Sequence, residues 1–100
     1  MQGDAKVIQC LQAQLKNELS AINQYFLHAE ICESKGYTGI EGKIRAESID
    51  EMKHAEVLIE RILYLDGKPM MGKTLEMNIG WTIEEMLAND LKLEQMAVKE

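Results

Sequence analysis

Apolar positions recur along this chain at steps of three and four, the period of an amphipathic helix. In the first segment Ile8, Leu11, Leu15, Glu18, Ile22, Tyr25 and Ala29 fall on one stripe. Asp4 stands where an N-cap belongs and Gly36 where a helix exits, so the pattern predicts a helix over 5–35. The second stripe is Ile44, Ser48, Glu51, Ala55, Leu58, Ile62 and Leu65. It predicts a helix over 40–66, stopped by Gly67 and Pro69. Residues 67–81 hold three glycines, the only proline and no stripe, and read as a long connection. Such a connection is unusual in a compact domain unless two helices run parallel and need a crossover. Thr82 with Glu85 three residues on forms a capping box that opens a third helix, whose predicted stripe is Leu87, Leu91, Glu94 and Val98. A second apolar face runs along the first two helices. Ile49, Met52, Ile59 and Leu63 lie about 100° round from the Glu51 stripe, and Leu19, Asn23 and Phe26 occupy the matching face of the first helix. Helices buried on two sides predict a contact between copies of the chain.

Composition narrows the class. One hundred residues suit one small domain, and the apolar fraction of 46% is enough for a core. Eleven basic against seventeen acidic residues leave a formal charge of −6, which argues against nucleic acid or an anionic membrane as a partner. No apolar run approaches the ~20 residues of a membrane span. The Met1–Lys6 segment lacks the form of a signal peptide. Cys10 and Cys32 fall on one predicted helix, too far apart to bridge, so free thiols in a reducing cytoplasm are expected.

The informative feature is a contradiction inside the stripes. Glu18, Glu51 and Glu94 each sit on the face of a different helix that should be dry. A buried, isolated carboxylate is costly, and three facing one core would repel one another. Bound cations resolve both problems, and oxygen-rich ligand sets suit hard or borderline metals. His54 completes a Glu-x-x-His with Glu51, placing carboxylate and imidazole on one helix face. Together these are the ligand types of di-iron and di-manganese bundles. The plainer reading of any one such Glu is a stripe-edge residue paired with lysine. Tyr25 reads first as a core tyrosine with a satisfied hydroxyl, and Met52 as packing, although a thioether also ligates haem iron. Glu47 and Asp90 read by default as exposed helix charges, with support of a metal ligand as the alternative. His28 has no carboxylate at ligand spacing and reads as structural or surface.

These residues bring a family into view. The runs Asn17–Ala29, Glu47–Glu56 and Glu60–Leu63, with Asn78-Ile79-Gly80 before the acidic third helix, resemble bacterioferritin, the haem-containing branch of the ferritin superfamily. The likeness runs from Met1 to about Glu94. It implies an all-α, ferritin-like four-helix bundle, of which this chain supplies the first two helices, the long crossover and part of the third. It implies that Glu18, Glu51, His54 and Glu94 are ferroxidase-centre ligands of a di-iron site, Glu51 and Glu94 bridging. Tyr25 stands beside that centre. Met52 is implied as the axial ligand of a haem b shared between two subunits. The family's activity is oxidation of Fe(II) by O₂ or peroxide, with ferric mineral stored in a cytoplasmic homo-oligomeric shell of twenty-four subunits.

One departure accompanies the likeness. The family's centre needs a second Glu-x-x-His, on a fourth helix, and this chain carries none. It reaches Glu100 within the third helix without a stop residue, so residues 1–100 read as a ferritin-like domain truncated there. The alternative to an iron-oxidising subunit is a non-catalytic helical oligomer, or a haem-binding fragment, without a complete di-iron centre. A helical interaction module with neither metal nor haem would leave the stripe carboxylates unexplained.

Overall fold

The computed structural model describes residues 3–72 and 79–98. Three helices and no strand occupy them: α1 (Ala5–Ser34), α2 (Thr38–Tyr64) and α3 (Ile83–Val98). Met1, Asn78 and most of the connection's middle lie outside the described residues, as does the side chain of Val98.

The helix ends follow local chemistry. Asp4 is extended, and its carboxylate accepts from the Lys6 amide at 2.7 Å, capping α1. At the far end Gly36 takes φ 81°, its amide donates to the Glu33 carbonyl, and the Tyr37 amide donates to the Cys32 carbonyl. This paired closure satisfies carbonyls the last turn would orphan, and it requires a residue at ease in the left-handed region. The chain then reverses into α2 almost at once. α2 ends with the same motif: Asp66 donates to the Leu63 carbonyl and Gly67 to the Ile62 carbonyl. The stop comes two residues before the predicted one, and the left-handed residue is Asp66 (φ 62°) instead of Gly67. Aspartate is among the few non-glycine residues that tolerate that conformation.

α1 and α2 bury the two predicted stripes against each other. Leu11, Leu15, Ala55 and Ile62 form a dry core, flanked by Leu19, Ile22, Leu58, Ile59 and Leu65. Each fully buried Leu or Ile contributes about 1.5–3 kcal/mol. Beyond Ala21 a second core gathers Tyr25, Ala29, Cys32 and Ile44 with Met86 of α3. Arg45 ties the outside of the pair, bonding Glu41 and reaching Glu30 and Glu33 on α1 while lying over the Phe26 ring.

α3 corrects the predicted stripe. Leu87 and Leu91 are 51% and 56% exposed, Glu94 is exposed, and the buried face is Met86 and Asp90 with Ile83 and Leu93 beside them. Both stripes have helical spacing, so period alone does not choose between them. The choice is made where α3 starts. The Thr82 hydroxyl accepts from the Glu85 amide, and the Glu85 carboxylate accepts from the Thr82 and Trp81 amides. Gly80 is pressed against the first turn so closely that an added Cβ would strike the Met86 amide. Met86 is thereby turned inward. Leu87 and Leu91 are left lining an open groove beside Ile40 and Ile44 of α2. Among the described residues no helix is long and apolar enough to cross a membrane.

Candidate metal centre

Where the two cores meet, the stripes of α1 and α2 bring their polar interruptions together. Glu18 and Glu51 are half-buried and face each other across the helix pair, with His54 one turn along α2. His54 Nδ1 lies 3.4 Å from Glu51 Oε2 and 3.7 Å from Glu18 Oε2. One ligand atom from each of the three residues falls within 4.8 Å of the others. Glu18 Oε2 is buried and accepts no hydrogen bond from a described residue. A buried carboxylate oxygen without a donor is costly. A cation at the convergence point would satisfy it, and the donor set of two carboxylates and an imidazole suits iron or manganese.

The three residues open onto a cavity of about 280 Å³, lined also by Asn17, Ala21, Tyr25, Leu93 and Glu94. Glu94 thus reaches the same cavity from α3 but does not join the convergent trio. Its carboxylate accepts the Tyr25 hydroxyl at 3.0 Å. Tyr25 is fully buried, and burial first, then the neighbouring Glu94, holds its phenol well above the usual range. The phenol stays neutral and donating at any working pH. Tyr25 is a core tyrosine with a satisfied hydroxyl, and its side chain also lines the cavity.

Asp90 departs from its default reading: it is 7% exposed, not a surface charge. His28, read as structural or surface, is structural, fully buried with a carboxylate partner in Asp90. Their signal was available. His28 shares the 3–4 spacing of Tyr25, Ala29 and Cys32, and Asp90 lies four after Met86 and three before Leu93. Glu47 is an exposed helix charge, as its default reading has it. Met52 stands 45% exposed on the second face of α2, with Ile49 and Leu63 on its own helix and Phe26 on α1 also open. That face offers a thioether within an apolar surface, which fits an axial haem ligand.

Residues 8–100 match the family model of the ferritin-like domain, and the chain belongs to that family. Its curated relatives are bacterioferritins. It is 49% identical over 98 residues to the bacterioferritin of Streptomyces coelicolor, covering 98% of this chain and 59% of that protein. It is 47% identical over 94 residues to bacterioferritin BfrA of Mycobacterium tuberculosis, again 59% of the relative. The solved bacterioferritin of Rhodobacter capsulatus, described with a metal-free dinuclear site and a haem iron in a crystallographic special position, superposes with a TM-score of 0.97 at 45% identity. That match covers 99% of this chain and 62% of the solved one. The chain therefore spans about three-fifths of the length of these relatives.

Proposed function

We propose that this chain is a subunit of an iron-storing, iron-oxidising assembly of the bacterioferritin kind. The observation that carries the reading is the convergence of Glu18, Glu51 and His54 on one point, with a buried Glu18 oxygen that accepts no hydrogen bond from a described residue. Fe(II) is the substrate, and O₂ or peroxide the oxidant. Glu18 and His54 would each hold one iron, and Glu51 and Glu94 would be shared between the two. Iron held there would supply the electrons that reduce the oxidant. None of these three helices carries the second Glu-x-x-His that the resemblance calls for. Tyr25, neutral and donating, keeps the Glu94 carboxylate oriented at the edge of the cavity.

Copies of the chain pair through the open face of α1 and α2, and a shell is built from such pairs. Met52 from each copy would hold a shared haem b, which supplies a one-electron redox centre when bound. The apolar neighbours Phe26 and Ile49 would exclude water from the ring. The two free cysteines support a reducing, cytoplasmic setting. Anaerobic Fe(II) titration followed by admission of air tests the centre. Saturable binding and rapid ferric absorbance are expected from the parent, and both are lost in Glu51→Ala. A Glu51→Ala chain that oxidises iron at the parental rate sinks the assignment.

A second reading is favoured by the position of Glu94, which bonds Tyr25 outside the convergent trio. In it the chain is a haem-binding oligomer without iron oxidation. Its mark is a bis-thioether haem spectrum, abolished by Met52→Leu, with iron left reduced in air.

A further inference from the structure

Between α1 and α3 runs a line of buried polar contacts that the metal centre does not use. Asp90 Oδ1 accepts from Gln24 Nε2 at 2.9 Å and lies 2.9 Å from His28 Nδ1. The Gly80 amide donates to His28 Nε2 at 2.9 Å. A backbone amide can only donate, so Nε2 carries a lone pair and the ring proton resides on Nδ1, aimed at Asp90. One fully buried imidazole thereby joins α1, the end of the connection and α3.

The same three turns set the register of the two helices. Cys32 faces Met86 with its sulfur 4.0 Å from the thioether, His28 faces Asp90, and Tyr25 faces Glu94. Each step advances three or four residues on both antiparallel helices. The sulfur contact is weakly directional, and the Glu94 end is exposed. Only the middle contact is both buried and directional. A slip of one turn, about 5.4 Å, would carry Asp90 away and set against the His28 Nδ1–H either Met86, a poor acceptor, or the longer Glu94 in a space that fits aspartate. It would also carry Glu94 away from Tyr25.

We propose that His28 and Asp90 are positioning residues whose buried hydrogen bond, held from behind by the Gly80 amide, fixes the register of α3 on α1 and so keeps Glu94 at the metal cavity. The consequence for metal rests on the reading of Glu94 as a ligand given above. The register itself rests on the geometry alone.

Cobalt(II) titration of the full chain, read by visible absorbance, tests the consequence. Asp90→Ala is expected to weaken binding about 10–100-fold, the scale for residues that orient metal ligands. Asp90→Asn keeps the acceptor oxygen and restores most of the affinity. The Asp90→Ala, Glu94→Ala double variant should bind no more weakly than Glu94→Ala alone, because both act through one carboxylate. Parental affinity in Asp90→Ala, full additivity in the double variant, or no rescue by Asp90→Asn overturns the proposal. Long-range proton–nitrogen NMR of the parent tests the geometry without a variant that might unfold. The neutral Nδ1–H tautomer of His28 is expected, and an Nε2–H tautomer overturns the register claim. Glu51→Ala is the control for the site. If it binds cobalt as the parent does, the metal reading fails. The register claim is then decided by the nuclear Overhauser contact between Cys32 and Met86, kept in Asp90→Asn and lost in Asp90→Ala.

Discussion

The two ends of the helix pair are held together by different means. At one end Leu11, Leu15, Ala55 and Ile62 form a core of apolar residues, and the hydrogen bonds of Gln12 to Lys68 and Met70 lie at its exposed rim. At the other, the core of Tyr25, Cys32, Ile44 and Met86 is threaded by the buried polar residues Gln24, His28, Ser48 and Asp90. Ser48 donates to the Ile22 carbonyl across the helix pair, and His28 reaches both α3 and the connection. Glu18, Glu51 and His54 stand at the seam between these ends. Apolar contact tolerates sliding, whereas a buried hydrogen bond has one geometry. The dry end supplies stability, and the wired end supplies position.

The largest expected effects probe the dry end. Leu15 is fully buried, so Leu15→Ala should cost about 2–5 kcal/mol in urea unfolding. That is a large share of the ~5–15 kcal/mol typical of a whole domain. A loss under 1 kcal/mol would mean that this end is loosely packed and that the contrast between the ends is false.

Gly80→Ala strikes the wired end. Its new Cβ would meet the Met86 amide and lie 2.6 Å from the Glu85 carbonyl carbon, both backbone atoms that cannot swing aside. The expected cost is about 1–3 kcal/mol, the range for overpacking. Cobalt affinity should fall with it, since α3 is displaced. Leu15→Ala, if it stays folded, should change affinity much less. Equal effects of the two on affinity would erase the distinction between stability and position.

How far the sequence was legible follows the same divide. The stripes of α1 and α2 were readable because each is internally consistent over seven positions, and the caps at Asp4 and Thr82 are local chemistry. Glu18 and Glu51 were readable because a charge inside a stripe is a contradiction visible without a partner, and His54 because the Glu-x-x-His spacing sets it on the face of Glu51. The inward face of α3 was not. Leu87–Leu91–Glu94 and Met86–Asp90–Leu93 have the same period, and the contacts that choose between them join positions 28, 80 and 90. The spacing of His28 with Tyr25 and Cys32, and of Asp90 with Met86 and Leu93, places each on a buried face, but nothing local pairs the two across 62 residues.

A smaller effect separates the start of α3 from the rest. The Thr82 hydroxyl accepts from the Glu85 amide at 3.2 Å, so Thr82→Ala should cost about 1 kcal/mol. Hydrogen exchange should quicken at the Glu85 amide and leave the Leu15 amide unchanged. Equal quickening at both would show that the two ends unfold as one unit and not as separable parts.

The smallest expected effect lies on the groove between α2 and α3, where Glu47 lines the wall with Asp90 and Glu94. Partial desolvation pushes the Glu47 carboxyl above its usual range, and the charges of Glu94, Asp90 and Asp50 push it further. A carboxyl whose folded pKa lies above its unfolded one costs stability when ionised. The cost is fully present above the folded pKa and vanishes as pH falls below the unfolded value, about 4.3 for glutamate. Glu47→Gln removes the charge, so it should stabilise the chain at neutral pH by no more than about 0.5 kcal/mol, the scale of surface substitutions. The gain in Tm over the parent should shrink to nothing by about pH 4. Cobalt should shrink it too at pH 7, because a cation beside Glu94 offsets one of the charges facing Glu47. A gain that is flat from pH 7 to about pH 4 would mean that Glu47 acts through packing. A gain indifferent to cobalt would place the metal too far from Glu94 for that carboxylate to be a ligand.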